Sequence, residues 1–143
     1  MLVADLDDRF VTLLLVCLDA PTRSFSYASG GHIPGFLMNR SGEIDCVLES
    51  SGPPLGLFDD SQFVTSVIAM KSQQLLILLT DGATETTTSQ DVQFGTDGVL
   101  EYVRAHRQKS ARDLAEGIYR AARNFAGNNS QQDDVTEVVV RVA

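Results

Sequence analysis

The clearest hydrophobic pattern in the chain is an unbroken apolar run, Leu75–Leu79, that leads through Thr80 into Asp81 and Gly82. The run is too short for a membrane span and lacks the spacing of a one-sided helix. It therefore predicts a strand that is buried on both faces. Asp81 would lie at the end of that fixed element, where a carboxylate can be aimed at a metal ion. Asp-Gly is also a common turn after a strand, so both interpretations stay open on this stretch alone.

Shorter apolar or alternating segments predict six further strands, bounded by turn residues such as Gly, Pro, Asn and Asp. The first of them, Phe10–Leu18, is almost wholly apolar and is therefore predicted to be a central strand. The short connections between successive segments predict antiparallel pairing. The six segments are Phe10–Leu18, Ser24–Ala28, Phe36–Asn39, Ile44–Leu48, Phe63–Ala69 and Val135–Val140.

Helical spacing appears in the second half of the chain. Val99, Leu100 and Val103 predict a helix that Thr96 or Asp97 caps and that ends near His106. Ser110 followed by Asp113 resembles a capping box and starts a longer helix, which Gly127 ends. Leu2, Val3 and Leu6 predict one further helical turn at the start. The apolar stripe of the longer helix comprises Ala111, Leu114, Ala115, Ile118, Tyr119, Ala122 and Phe125.

Length and composition indicate one globular domain, and the predicted strands and helices indicate its fold class. With 143 residues, 43% of them hydrophobic, we expect one domain over residues 1–143 with an α+β fold, an antiparallel β-sandwich with helices on the outer faces. Eleven Lys and Arg against nineteen Asp and Glu give a charge of -8, which disfavours nucleic acid and anionic membranes. The start resembles no signal peptide, and Cys17 and Cys46 lack metal-type spacing. We therefore expect a cytoplasmic protein with reduced thiols.

A second acidic position resembles the first, because Asp133 and Asp134 open the last predicted strand as Asp81 closes an earlier one. If the two strands are antiparallel neighbours, these carboxylates reach the same sheet edge. Clustered carboxylates repel one another unless a cation lies between them, and oxygen ligands favour Mg2+ or Mn2+. The alternative for Asp133 and Asp134 is a solvated acidic turn.

In this order, the segments resemble the C-terminal part of a PPM (PP2C-type) serine/threonine phosphatase of the SpoIIE/RsbU subfamily. The resemblance covers nearly the whole chain. It rests on residues 10–14, 27–35, 54–56, 78–85, 94–95 and 133–136.

The resemblance implies a site with two Mn2+ or Mg2+ ions, and hydrolysis of phosphoserine or phosphothreonine by metal-activated water without a protein nucleophile. It implies metal ligands at Asp81 and Asp133, and the accessory candidates are Asp134, Gly82, Glu85 and His32. The alternatives are a solvated loop carboxylate for Glu85 and, for His32, a loop histidine bonded to nearby backbone. Related phosphatases often carry Asn in the place of Asp134. The expected partners are a phosphorylated regulatory protein, such as a STAS-type anti-sigma antagonist, and an upstream sensory or receiver domain.

One family feature has no counterpart in this sequence. The first metal motif of these phosphatases, an Asp followed by a short Gly- and His-containing run, bridges both ions, and Asp5, Asp7 and Asp8 lie in a different context. We therefore expect a truncated domain with little activity by itself and with sheet edges open to a homodimer. Two other hypotheses are an inactive PPM-like binding module and a plain β-sandwich interaction domain in which Asp81 and Asp133 are turn residues.

Overall fold

The structure is a computed structural model that describes residues 9–129 and 133–143. The helical turn predicted at Leu2, Val3 and Leu6 lies outside these residues. The described elements are β1 Leu13–Asp19, β2 Ser24–Gly30, β3 Gly35–Met38, β4 Ile44–Leu48, β5 Ser66–Ala69, β6 Leu75–Leu79, α1 Asp81–Thr84, α2 Gly95–His106, α3 Ala111–Ala126 and β7 Glu137–Arg141.

The described residues form two compact units. The first comprises the residues up to Pro34 together with Leu48–Lys71, and the second comprises Gly35–Val47 together with Ser72–Ala143. All strand pairs with a defined register are antiparallel, and helices accompany the sheet of the second unit. The predicted α+β class with antiparallel sheets is therefore confirmed. In the part of the chain that the structure describes, no helix is long and apolar enough to cross a membrane.

The first unit contains a three-stranded sheet in the order β1-β2-β5. Phe10–Leu18 was predicted to be a central strand, but among the described residues β1 has a neighbour on one side only and leaves Leu15 62% exposed. A continuous apolar run predicts that a strand is buried, but it does not specify how many strands lie beside it. β5 also begins later than predicted, at Ser66.

The second unit contains the sheet β4-β3-β6-β7, in which β6 has a neighbour on each side. Its residues Leu75, Leu76, Ile77 and Leu79 are at most 3% exposed, so the strand predicted from the apolar run is confirmed. Burying each such side chain stabilises the fold by about 1.5–3 kcal/mol. This strand is therefore the rigid base from which Asp81 projects.

The two longer helices differ in how well their starts were predicted. At α3 the Ser110 hydroxyl accepts a hydrogen bond from the Asp113 amide, and Gly127 ends the helix with φ of 63°. At α2 the predicted caps Thr96 and Asp97 are wrong, because the helix begins at Gly95 without a side-chain cap. Its entry is set instead by a backbone hydrogen bond of 2.8 Å from the Phe94 amide to the Thr86 carbonyl.

The buried stripe of α3 is narrower than predicted. Leu114, Ile118 and Ala122 are buried, whereas Tyr119 is 41% and Phe125 is 37% exposed. α3 packs against α2 and β7, and these neighbours cover only one side of the helix.

Candidate functional site

The pairing of β6 with β7 brings the predicted acidic segments to one edge of the second unit. Leu79 lies opposite Glu137, and beyond this pair the Thr80 amide donates a hydrogen bond of 3.0 Å to the Thr136 carbonyl. The chain enters α1 at Asp81 directly after this point. The segments that contain Asp81 and Asp133 therefore leave two adjacent strand ends.

Gly82 allows the two segments to lie against each other. It is buried, and a Cβ atom at this position would overlap the Asp134 carbonyl oxygen and lie 2.9 Å from the carbonyl carbon. Any larger residue would have to push the Asp133–Asp134 backbone away from Asp81. The role of Gly82 at this edge is thus to permit close approach of two main chains.

Thr80 links the same segments through its side chain, a role that its place in the sequence pattern does not indicate. Its hydroxyl accepts a hydrogen bond of 2.9 Å from the Thr136 amide and lies 3.4 Å from the Asp134 carbonyl oxygen. Threonine is common in strands, so nothing in the pattern distinguished this hydroxyl from one that faces solvent.

The two carboxylates have similar local geometry. Asp81 Oδ1 accepts a hydrogen bond of 3.0 Å from the Gly82 amide, and Asp133 Oδ1 accepts one of 2.8 Å from the Asp134 amide. Asp81, Asp133 and Asp134 are all exposed, so ionised carboxylates are well solvated at this edge. The close approach of the Asp81 and Asp133 carboxylates to each other remains a prediction.

The accessory candidates lie in different places. Glu85 is exposed at the end of α1, where its amide donates a hydrogen bond of 2.7 Å to the Asp81 carbonyl. His32 belongs to the first unit, and its Nδ1 donates a hydrogen bond of 2.9 Å to the carbonyl of Ile33. The second unit therefore brings Asp81, Gly82, Asp133 and Asp134 together, with Glu85 one short helix away.

Glu137 is an ionisable group that the sequence pattern identifies only as a strand residue. It is half-buried opposite Leu79, and its Oε1 atom is buried without a hydrogen-bond partner among the described residues. Burial disfavours the charged form and raises the pKa of Glu137 from 4.5 to about 7. The carboxyl is thus partly protonated at neutral pH, next to an edge that carries three exposed aspartates.

The acidic side chains at this edge fit part of a binding site for a hard divalent cation. Asp81 and Asp133 supply carboxylate oxygens, which suit Mg2+ and Mn2+. Within residues 9–129 and 133–143, however, no group of three or more His, Cys, Asp or Glu side chains is arranged to hold a metal ion. The described edge therefore supplies fewer acidic ligands than a closed site requires.

The sequence of the whole chain, residues 1–143, matches the family described as Stage II sporulation protein E (SpoIIE). Protein IcfG of Synechocystis sp. is 28% identical over 131 residues, which are 92% of this chain and 20% of IcfG. Phosphoserine phosphatase RsbU of Bacillus subtilis is 26% identical over 132 residues, which are 92% of this chain and 39% of RsbU. The chain thus spans well under half the length of these curated relatives.

Solved structures show the same fold. The SiaA-PP2C domain of Pseudomonas aeruginosa superposes with a TM-score of 0.79 at 20% identity, over 92% of this chain and 52% of that domain. The Mn-presoaked phosphatase domain of SpoIIE from Bacillus subtilis gives a TM-score of 0.65 at 20% identity, over 92% of this chain and 56% of that domain. Because the family match covers every residue, the chain belongs to the SpoIIE family, and its fold is that of part of these PP2C-type phosphatase domains.

Proposed function

We propose that this chain supplies one edge of a metal-dependent protein serine/threonine phosphatase site, in which Asp81 and Asp133 are metal ligands. The observation that carries the proposal is the β6–β7 pairing, which brings the chain at Asp81–Gly82 against the chain at Asp133–Asp134. Membership of the SpoIIE family supports the same class of chemistry, since the relative RsbU is named a phosphoserine phosphatase.

In this proposal the residues of the edge hold and orient oxygen ligands. Thr80 and Gly82 fix the two acidic segments against each other, and the amides of Gly82 and Asp134 each orient one carboxylate. Asp134 and Glu85 are exposed and would be available as hydrogen-bond acceptors beside a bound ion. When bound, Mn2+ or Mg2+ supplies an activated water for attack on phosphorus and neutralises charge on the phosphoryl oxygens.

The substrate that we propose is phosphoserine or phosphothreonine on a regulatory protein, of the STAS-type anti-sigma antagonist class. The family resemblance supports this choice, and so does the name of a second relative, Phosphoserine phosphatase RsbP of Bacillus subtilis. A sensory or receiver domain would precede the phosphatase domain and control it. Such a protein would act in the cytoplasm.

An inactive PPM-like binding module is the second candidate. The described residues contain no metal-binding group of three or more acidic, His or Cys side chains, and this observation favours it. Positioning and charge neutralisation provide most of phosphoryl-transfer catalysis, so a missing charged ligand is expected to remove activity before it removes the fold.

Metal-dependent thermal stability tests the assignment of ligands. We expect Mn2+ to raise the Tm of the wild-type chain, because a ligand that binds only the folded state stabilises it. Asp81→Asn and Asp133→Asn should each lose most of this rise. Asp91→Asn is the matched control, since Asp91 is an exposed aspartate at φ of 58°, a conformation that Asn accepts readily.

Two outcomes separate the candidates. An equal rise in Tm for wild type, Asp81→Asn and Asp133→Asn would show that these carboxylates are not ligands. A rise that depends on Asp81 and Asp133, without hydrolysis of an aryl phosphate or a phosphoserine peptide in a polypeptide that includes the whole domain, would favour the binding module.

A further inference from the structure

A cleft with three arginines lies at the opposite end of the second unit from Asp81. β6 runs from Leu75 in the lining of this cleft to Leu79 beside the acidic edge, a span of about 13 Å for a strand of this length. β7 likewise places Arg141 at the cleft and Glu137 at the acidic edge. The residues that line the cleft are Asn39, Arg40, Gln73, Leu75, Arg107, Gln108 and Arg141.

Two of the arginines are held in place by main-chain carbonyl groups. Arg107 donates hydrogen bonds to the carbonyls of Arg40 at 3.0 Å and Arg104 at 2.6 Å. Arg141 donates to the carbonyls of Arg107 at 2.7 Å and Lys109. These bonds brace the turn after β3 and the end of α2, which is a structural role. The acceptors are neutral, however, so they orient the guanidinium groups without cancelling their charge.

The positive charge of the cleft is uncompensated within its lining. The two ion pairs that the structure describes join Arg112 and Arg120 to Glu116 on α3, away from the cleft. Asn39 donates hydrogen bonds to Asp45 at 2.8 Å and to Glu43 at 3.4 Å, but neither acid is a lining residue, and the lining itself contains no carboxylate. In a chain of net charge -8, which repels anions elsewhere, such a cleft is where an anion is attracted.

The side chains of the lining match a phosphate group. Guanidinium groups present paired N–H donors that fit phosphate oxygens, and the amides of Gln73 and Gln108 add neutral donors. Three positive charges are better matched by the two negative charges of a phosphate dianion than by the single charge of a carboxylate. The volume of the cleft is about 10 Å3, which is room for one phosphate oxygen. We propose that this cleft binds the phosphate group of a phosphomonoester or free inorganic phosphate, independently of the metal edge.

Titration with inorganic phosphate in metal-free buffer that contains EDTA tests the proposal without reference to catalysis. Calorimetry should show saturable binding, and the backbone amide resonances of Arg40, Gln108 and Arg141 should shift. Gln108→Glu places one carboxylate in the lining at nearly constant shape and should weaken binding by about tenfold or more. Gln90→Glu, an exposed glutamine in a turn of the same unit, is the matched control and should leave the affinity unchanged.

A second variant and a second ligand make the test sharper. Arg40 is exposed and its side chain makes no hydrogen bond or ion pair within the described residues, so Arg40→Gln should weaken binding without affecting folding. Tighter binding of a phosphoserine peptide than of inorganic phosphate would assign the cleft to a phosphoprotein segment, and the reverse order would assign it to free phosphate. The proposal is overturned if phosphate causes no saturable change, if Gln108→Glu and Gln90→Glu bind equally, or if the shifts centre on Asp81 and Asp133.

Discussion

At the residue scale, Glu137 should make stability depend on pH. Its pKa is raised by burial from 4.5 to about 7, so the folded state keeps a proton that the unfolded state has already lost. The unfolding free energy should therefore fall as pH rises through this range, and stay level above it where both states are ionised. Each pKa unit corresponds to about 1.4 kcal/mol, and screening by solvent at a half-buried group reduces the total to about 1–2 kcal/mol. Urea denaturation on both sides of the range measures this change.

A matched pair of variants isolates the Glu137 carboxyl. Glu137→Gln removes the titration and should flatten this part of the pH profile, with the largest gain in unfolding free energy above the raised pKa. Glu85→Gln removes an exposed carboxyl near the same edge and should leave the profile unchanged. A profile that keeps its slope in Glu137→Gln would assign the pH dependence to other groups.

Single residues at the acidic edge were predictable to different degrees. Asp81, Gly82 and Asp133 stand at the ends of apolar segments, so their position at one edge followed from strand pairing. Glu137 and Thr80 were not identified, because a polar residue in a strand can face solvent or a neighbouring element with the same local pattern. The burial of Glu137 depends on which elements cover β7, and this is a property of the tertiary structure.

At the scale of elements, hydrophobic periodicity predicted the type and ends of an element best where one pattern was strong and complete. β6 and the two ends of α3 were predicted correctly, since an uninterrupted apolar run and a capped amphipathic stripe each fit only one kind of element. β1 was predicted to be central but lies at the edge of its sheet among the described residues, and the start of α2 was missed. Both depend on neighbours: β1 on the strands beside it, and α2 on the backbone hydrogen bond between Phe94 and Thr86.

The start of α3 provides a test at this scale. Ser110 accepts a hydrogen bond of 3.1 Å from the Asp113 amide and donates one of 2.7 Å to its carboxylate. Ser110→Ala removes both bonds and should lower the unfolding free energy by about 1 kcal/mol, measured by urea denaturation. Ser89→Ala, at an exposed turn, should change it by less than about 0.5 kcal/mol. Equal effects of the two substitutions would contradict a capping role for Ser110.

At the scale of the whole molecule, the sheet of the first unit presents an apolar face to solvent. Leu15 and Cys17 are two residues apart on β1 and therefore lie on one face of the sheet. Cys17 pairs with Ser26 and Ser26 pairs with Val67, so Val67 lies on the same face. Leu15 is 62% and Val67 is 71% exposed. The neighbouring Ala28 and Ser26 are small, so the face is shallow between its larger side chains. Exposed apolar surface beside an edge strand favours association with another chain.

We therefore predict that the 143-residue chain forms a reversible homodimer through this face and the β1 edge, which sedimentation equilibrium measures over a range of concentrations. Leu15→Lys adds a charge to the exposed face and should shift the equilibrium towards monomer, because burying an unpaired ammonium group in an interface is costly. Val92→Lys is the matched control, since Val92 is 53% exposed in the second unit. A monomer at every concentration would refute the prediction. An equal loss of dimer in Val92→Lys and Leu15→Lys would show that net charge, and not the face of the first unit, controls the association.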